Sequence, residues 1–292
     1  VPVGSQESRK EHFIGYAGLR LAAEAAGPED GPPVILSHGG GQTRHAWGKG
    51  LRDCAAAGYR TLSLDLRGHG ESQWAPGGDY SPDALVGDLA AVARAVGGKP
   101  ALVGASLGGT ASLIVAGEQP DLASSLVLVD VTPALNMEGV ERIHGFMSAY
   151  TDGFASLEAA ADAIAAYMPE RPRAANLDGI RKNLRAGDDG RWYWHWDPAF
   201  IAGDLEQTVA ALTARMSDAA RRVTQPTLLV RGVLSDVVSH DAVDDLRARI
   251  PHLEFVDVAD AGHMVAGDKN DAFTAAILDF LRRHAPTARP SS

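Results

Sequence analysis

The sequence predicts an α/β protein: a mostly parallel central sheet with helices on both faces and a helical cap inserted between two of its strands. Three observations predict it. Short β-rich runs alternate with amphipathic helical segments along most of the chain, the pattern of a sheet covered on both sides. The run from Leu126 to Val129 is continuously apolar, as a central parallel strand must be. The alternation stops after Pro133 and resumes only near Pro226.

Taken in order, residues 11–14 and 19–23 are candidate opening strands, and 33–37 is a clearer strand that runs into a triple glycine. A helix over 44–57 and a strand over 59–66 follow. Ser81 as N-cap and Pro82 at the first helical position open the next helix. Its Leu85, Leu89, Val92 and Val96 fall on one face. A strand over 101–104 meets a sharp Gly-Ala-Ser-Leu-Gly-Gly turn, with a helix beyond it and a strand at 125–130.

From Pro133 to about Val223 the chain is Ala- and Arg-rich and mostly helical, with no convincing strand. A stretch of that length is not structureless inside a compact domain. It reads as a cap over the strand ends, where open α/β sheets bind their ligands. Strands at 226–232 and 253–258 restore the pattern, and a helix over 270–284 closes it with Phe273, Ile277, Phe280 and Leu281 on one face. The tail 285–292 reads as disordered. The expected domains are a core of residues 1–132 and 224–292 and a cap of residues 133–223.

The length of 292 residues suits one large domain carrying an insertion. A net charge of −10 argues against nucleic acid as a partner, because phosphate contacts need clustered Lys and Arg. It argues equally against docking on an anionic membrane. The single cysteine, Cys54, excludes an internal disulfide and a thiolate metal cluster. With Trp47 and Leu51 at helical spacing, it reads as a buried small hydrophobe. No apolar run is long enough to span a bilayer, and the N-terminus lacks the basic-then-apolar order of a secretory signal. A cytoplasmic location and a small-molecule substrate are the expectations; composition leaves the oligomeric state open.

Gly104-Ala105-Ser106-Leu107-Gly108 matches G-x-S-x-G, a cheap pattern in a chain with 32 glycines. Its context is more specific: an apolar strand before it and a helix after it are the setting a nucleophile elbow requires. Four motifs in order then give the chain a resemblance to the α/β-hydrolase superfamily over nearly its whole length. Ser37-His38-Gly39-Gly40-Gly41 resembles the family's oxyanion loop, and Asp65-Leu66-Arg67-Gly68-His69-Gly70-Glu71-Ser72 resembles the turn after its next strand. Gly104 to Gly109 resembles the elbow, and Ala261-Gly262-His263 the histidine loop.

A serine hydroxyl needs a base to take its proton and a third group to orient that base. The resemblance implies a triad of Ser106, His263 and Asp236, the last following the strand that ends near Gly232. Asp130, at the end of the strand before the cap, is the alternative acid, because some family members place it there; otherwise it caps a turn. The backbone N–H groups of Leu107 and Gly40 are the expected oxyanion hole. His38 and His69 read as structural, and Asp65 and Arg67 as turn-stabilising partners. No nucleotide or metal motif competes, so neither a cofactor nor a metal is expected.

Within the cap, Trp192, Trp194 and Trp196 share one face if the segment is extended. Either they wall the substrate pocket or they fill a seam between cap and sheet. Trp194, Met147 and Met264 are the candidate substrate contacts. Ser106 rules out the Asp-nucleophile dehalogenases and epoxide hydrolases of this fold. Hydrolysis of a carboxylic ester or lactone with an apolar or aromatic portion leads. Perhydrolase (cofactor-free haloperoxidase-like), carbon–carbon bond hydrolase and amidase activities share the triad, and a non-catalytic ligand receptor is the alternative from another class.

Overall fold

The computed structural model describes residues 8–168, 176–259, 261–262 and 270–287. Two antiparallel strands open the chain, β1 (Arg9–Ile14) and β2 (Arg20–Ala26), and β3 (Pro33–Ser37) follows. Then come α1 (Gly48–Ala56), β4 (Arg60–Leu64), α2 (Pro82–Val96), β5 (Ala101–Ala105), α3 (Leu107–Glu118) and β6 (Ser125–Val129). The insertion holds α4 (Met137–Ser148), α5 (Leu157–Tyr167), α6 (Asp178–Arg181), β7 (Leu184–Ala186), β8 (Trp192–Trp194) and α7 (Leu205–Ala220). Finally β9 (Thr227–Gly232), α8 (His240–Arg249), β10 (Leu253–Val258) and α9 (Thr274–His284) complete the core.

Among the described residues the main sheet has eight strands in the order β1-β2-β4-β3-β5-β6-β9-β10, parallel from β4 to β10. Strand periodicity sorts its side chains into two cores. Leu102, Leu126 and Leu128 pack with α2, α3, α8 and the end of α7. Val103, Val127 and Val129 pack with α1 and α9 on the other face. Cys54 lies in that second layer, where burial pushes its thiol up to about 12, as expected of a small core hydrophobe. Ser81 caps α2 by accepting the Ala84 N–H at 3.3 Å.

The insertion differs from expectation in two ways. It contains a two-stranded antiparallel hairpin, β7–β8, that the helical composition concealed. Its last helix also belongs to two layers: Leu205, Val209 and Leu212 line a cavity, whereas Met216, Ala219 and Ala220 are buried in the core below. Leu205, Val209, Leu212 and Met216 recur at i, i+4, i+7 and i+11, with Ala219 and Ala220 at i+14 and i+15, one face of a single helix. Residues 288–292 of the expected disordered tail lie outside the described residues. Among the described residues no helix is long and apolar enough to cross a membrane.

Candidate active site

Ser106 sits where β5 ends and α3 begins, at φ +46° and ψ −112°. That left-handed backbone is rare for a residue with a side chain. The flanking glycines are required by closeness: a Cβ on Gly104 would lie 2.4 Å from the Gly108 carbonyl carbon, and one on Gly108 would lie 2.6 Å from the Ser37 carbonyl oxygen. The turn therefore cannot be built without them. It is anchored across the sheet by the Ser106 N–H, which donates to the Val129 carbonyl at 3.1 Å.

The cavity above Ser106 has a volume of about 220 Å³. Gly40, Ser106, Leu107 and Val131 of the core contribute to it, together with Ile143 and Met147 of α4, Phe200, and the cavity-facing residues of α7. The lining is mainly apolar. Arg67, the cationic side chain among its described lining residues, already donates to both carboxylate oxygens of Asp88, at 2.6 and 2.9 Å, and to the Asp79 carbonyl at 2.6 Å. Asp65 is likewise paired with Arg44 and accepts the Glu71 N–H at 2.9 Å. Both ion pairs hold turns, as the sequence implies.

Gly40 and Leu107 face this cavity together, and among the described residues neither backbone N–H has a protein acceptor. The neighbouring Gly39 N–H is taken by the Gln42 side-chain oxygen at 2.9 Å, and the Gly41 N–H by His69 Nε2 at 3.2 Å. Gly40 is thus the loop's available donor. His38 accepts the Leu66 N–H at Nε2 (3.0 Å), which leaves Nδ1–H to donate to the Gly39 carbonyl at 2.7 Å. Burial holds His38 well below the usual imidazole range and His69 down to about 4, so both rings are neutral.

The two candidate acids have different surroundings. Asp130 directly follows β6, is 2% exposed, and has φ +52°. Because Ala105 pairs with Val129, Asp130 and Ser106 emerge side by side from adjacent strands. Ser235 Oγ donates to Asp130 Oδ2 at 2.8 Å. Asp236 is half-exposed, and its carboxylate pairs with Arg142 of α4. Its carbonyl accepts from the Asn136 side chain at 3.0 Å, so this loop is tied to the cap. His263 and Met264 lie outside the described residues.

Met147 lines the cavity; Trp194 does not. Trp194 stacks on Trp196 at 4.7 Å and is buried with Phe146 and Phe154 in the cap's own interior. Its expected contact with substrate is therefore corrected, because an extended segment aims this face inward when its hairpin needs a core. Sequence reasoning missed His195, Tyr80 and Phe200. His195 accepts the Gly70 N–H at Nδ1 (2.9 Å) and donates from Nε2 to the Gly41 carbonyl at 3.2 Å. No local pattern marks such a residue.

The residues 32–269 match the family model described as the alpha/beta hydrolase fold. The chain is 34% identical over 262 residues to "Esterase Rv0045c" of Mycobacterium tuberculosis, covering 86% of this chain and 83% of that one. It is 30% identical over 266 residues to the "3-hydroxybutyrate-oligomer hydrolase" of Cupriavidus necator, covering 86% and 89%. Among solved structures, that of E-2-(acetamidomethylene)succinate hydrolase superimposes with a TM-score of 0.80 at 27% identity, covering 94% of this chain and 99% of that one. On the strand order, the elbow and these matches together, the chain belongs to the α/β-hydrolase family.

Proposed function

We propose that the protein is a serine esterase that cleaves a carboxylic ester or lactone with an apolar portion, through an acyl-enzyme on Ser106. One observation carries the reading: a serine on a strained elbow opens into an apolar cavity beside two backbone N–H groups that have no protein acceptor. The similarity to two ester-cleaving relatives supports it.

In this reading Ser106 Oγ attacks the ester carbonyl while His263 takes its proton. The carbonyl oxygen gains charge and is met by the N–H groups of Gly40 and Leu107, which are aligned before reaction and cost no reorganisation. His263 returns the proton to the leaving alcohol, and water attacks the acyl-enzyme by the same route. Asp130 suits the orienting acid better than Asp236. It is buried beside the nucleophile strand, while the Asp236 carboxylate is engaged by Arg142.

Neutral substrates fit the cavity better than anionic ones. Arg67 is matched by Asp88, so among the described lining residues no cation is left for a carboxylate. This weighs against an anionic substrate such as the one named for E-2-(acetamidomethylene)succinate hydrolase. A ligand receptor would gain nothing from the strained serine.

A fluorophosphonate probe and a p-nitrophenyl ester series test the proposal. Wild type is expected to be labelled at Ser106 and to hydrolyse the esters, with kcat lowered about 10⁶-fold in Ser106→Ala. A loss under tenfold would remove Ser106 as the nucleophile.

A further inference from the structure

The loop that presents Gly40 is held by three imidazoles, each on a different peptide plane. His38 holds the Gly39 carbonyl, and His69 holds the Gly41 N–H. The third, His195, comes from the cap and donates to the Gly41 carbonyl. The first two belong to core turns; the third arrives from 154 positions away in the chain.

A peptide unit is planar and trans, so its N–H points opposite to its C=O. This makes the loop a relay. His195 Nε2–H donates to the carbonyl of the Gly41–Gln42 unit at 3.2 Å. The N–H of that same unit, on Gln42, donates to the Gly39 carbonyl at 3.1 Å. The Gly39 carbonyl in turn belongs to the unit whose other end is the N–H of Gly40, a residue that lines the cavity. Each bond fixes the orientation of the next unit, and a chain of such bonds polarises its terminal donor. Gly41 has φ +74°, a conformation open to glycine but not locked by it, so the loop needs outside contacts to hold one geometry.

His195 is itself fixed. Its ring packs edge-on to Trp196 at 5.3 Å, and its backbone N–H donates to the Asn183 carbonyl at 3.2 Å. Its Nδ1 is occupied by the Gly70 N–H, which leaves Nε2 as the proton-bearing atom. Two residues on, the Asp197 N–H donates to the Gly68 carbonyl at 2.9 Å. The cap is thus clamped to both core turns beside the site.

We infer that His195 is a positioning residue for the oxyanion hole, through which the cap sets the direction of the Gly40 N–H. The inference rests on the esterase reading of Ser106 and Gly40. It makes the cap part of the chemical machinery as well as a wall of the cavity.

Three substitutions separate this role from a structural one. Gln places a donor amide near the position of Nε2; Asn places its amide oxygen near Nδ1 and retains only the Gly70 contact; Phe retains the ring packing and neither hydrogen bond. Rates on a p-nitrophenyl ester are expressed per active site titrated with the fluorophosphonate, so a partly folded preparation still reports. His195→Gln is expected to keep kcat within about threefold. His195→Asn and His195→Phe are expected to lose about 10- to 100-fold in kcat with KM nearly unchanged, less than the 10²–10³ of deleting a donor outright. Affinity for a trifluoromethyl ketone, whose adduct carries an oxyanion, should fall in step with kcat.

Wild-type kcat in both His195→Asn and His195→Phe would overturn the inference while leaving the esterase reading intact. So would an equal loss in all three variants, or a rise in KM at constant kcat. If wild type cleaves no ester and the probe misses Ser106, both readings fall together.

Discussion

Ser235 Oγ donates to the Asp130 carboxylate at 2.8 Å, joining the loop after β9 to the end of β6. The same hydroxyl accepts the N–H groups of Val237 and Val238, each at 3.2 Å. The loop that carries Asp236 is thereby folded around a contact to Asp130. The two carboxylates that sequence leaves as rivals are set apart by it, one buried and one paired with Arg142 at the surface.

That relationship predicts which acid matters. Asp130→Asn should lower kcat by about 10⁴, the cost of leaving a catalytic imidazole in the wrong tautomer. Asp236→Asn should remain within a few fold of wild type. Steady-state rates on one ester decide the matter, and the reverse pattern would return the acid to Asp236.

The face of α7 predicts chain-length selectivity. Each methylene buried in the cavity contributes about 0.8 kcal/mol, so kcat/KM should rise about fourfold per carbon of the acyl chain until the space is full. Leu212→Trp fills part of the α7 side of the cavity, and it should move the optimum to shorter esters with acetate turnover retained. An unchanged optimum in a folded variant would place the acyl group elsewhere.

The buried imidazoles predict acid lability. Burial pushes His195 down to about 3 and His69 down to about 4, below the ordinary 6.5 of an exposed ring. The unfolded state therefore binds more protons as pH falls below about 6.5, and stability is lost until the folded values are passed. Each such ring contributes a slope of about 1.4 kcal/mol per pH unit in that window. The raised carboxyls of Asp65 and Asp88, both pushed up by burial, oppose it in wild type and variant alike. Urea denaturation between pH 5 and pH 6 should show His195→Gln with a slope shallower by one proton. Equal slopes would mean that His195 is not held neutral in the fold.

Local features were legible from the sequence alone. The strands, the Ser81 cap and the elbow at Ser106 depend on neighbours a few positions away, so their residue types carry the information. Glycine at 104 records a contact within the turn itself, whereas glycine at 108 makes room for Ser37 at the end of β3, and Met216 recurs at helical spacing from Leu205. Composition hid the β7–β8 hairpin, because two strands of three residues carry too little periodicity to stand out from helical flanks.

Distance in the chain decided the rest. Asp130 and Asp236 both follow strands, and only packing determines which carboxylate is buried beside β5. Trp194 has the same local pattern whether it faces a ligand or a cap core. His195 shares no sequence neighbourhood with Gly41, and their hydrogen bond exists because the hairpin folds back onto the glycine loop after β3. Residue types specify what each segment can do; which segments meet depends on long-range burial of apolar surface, which no local window of the chain encodes.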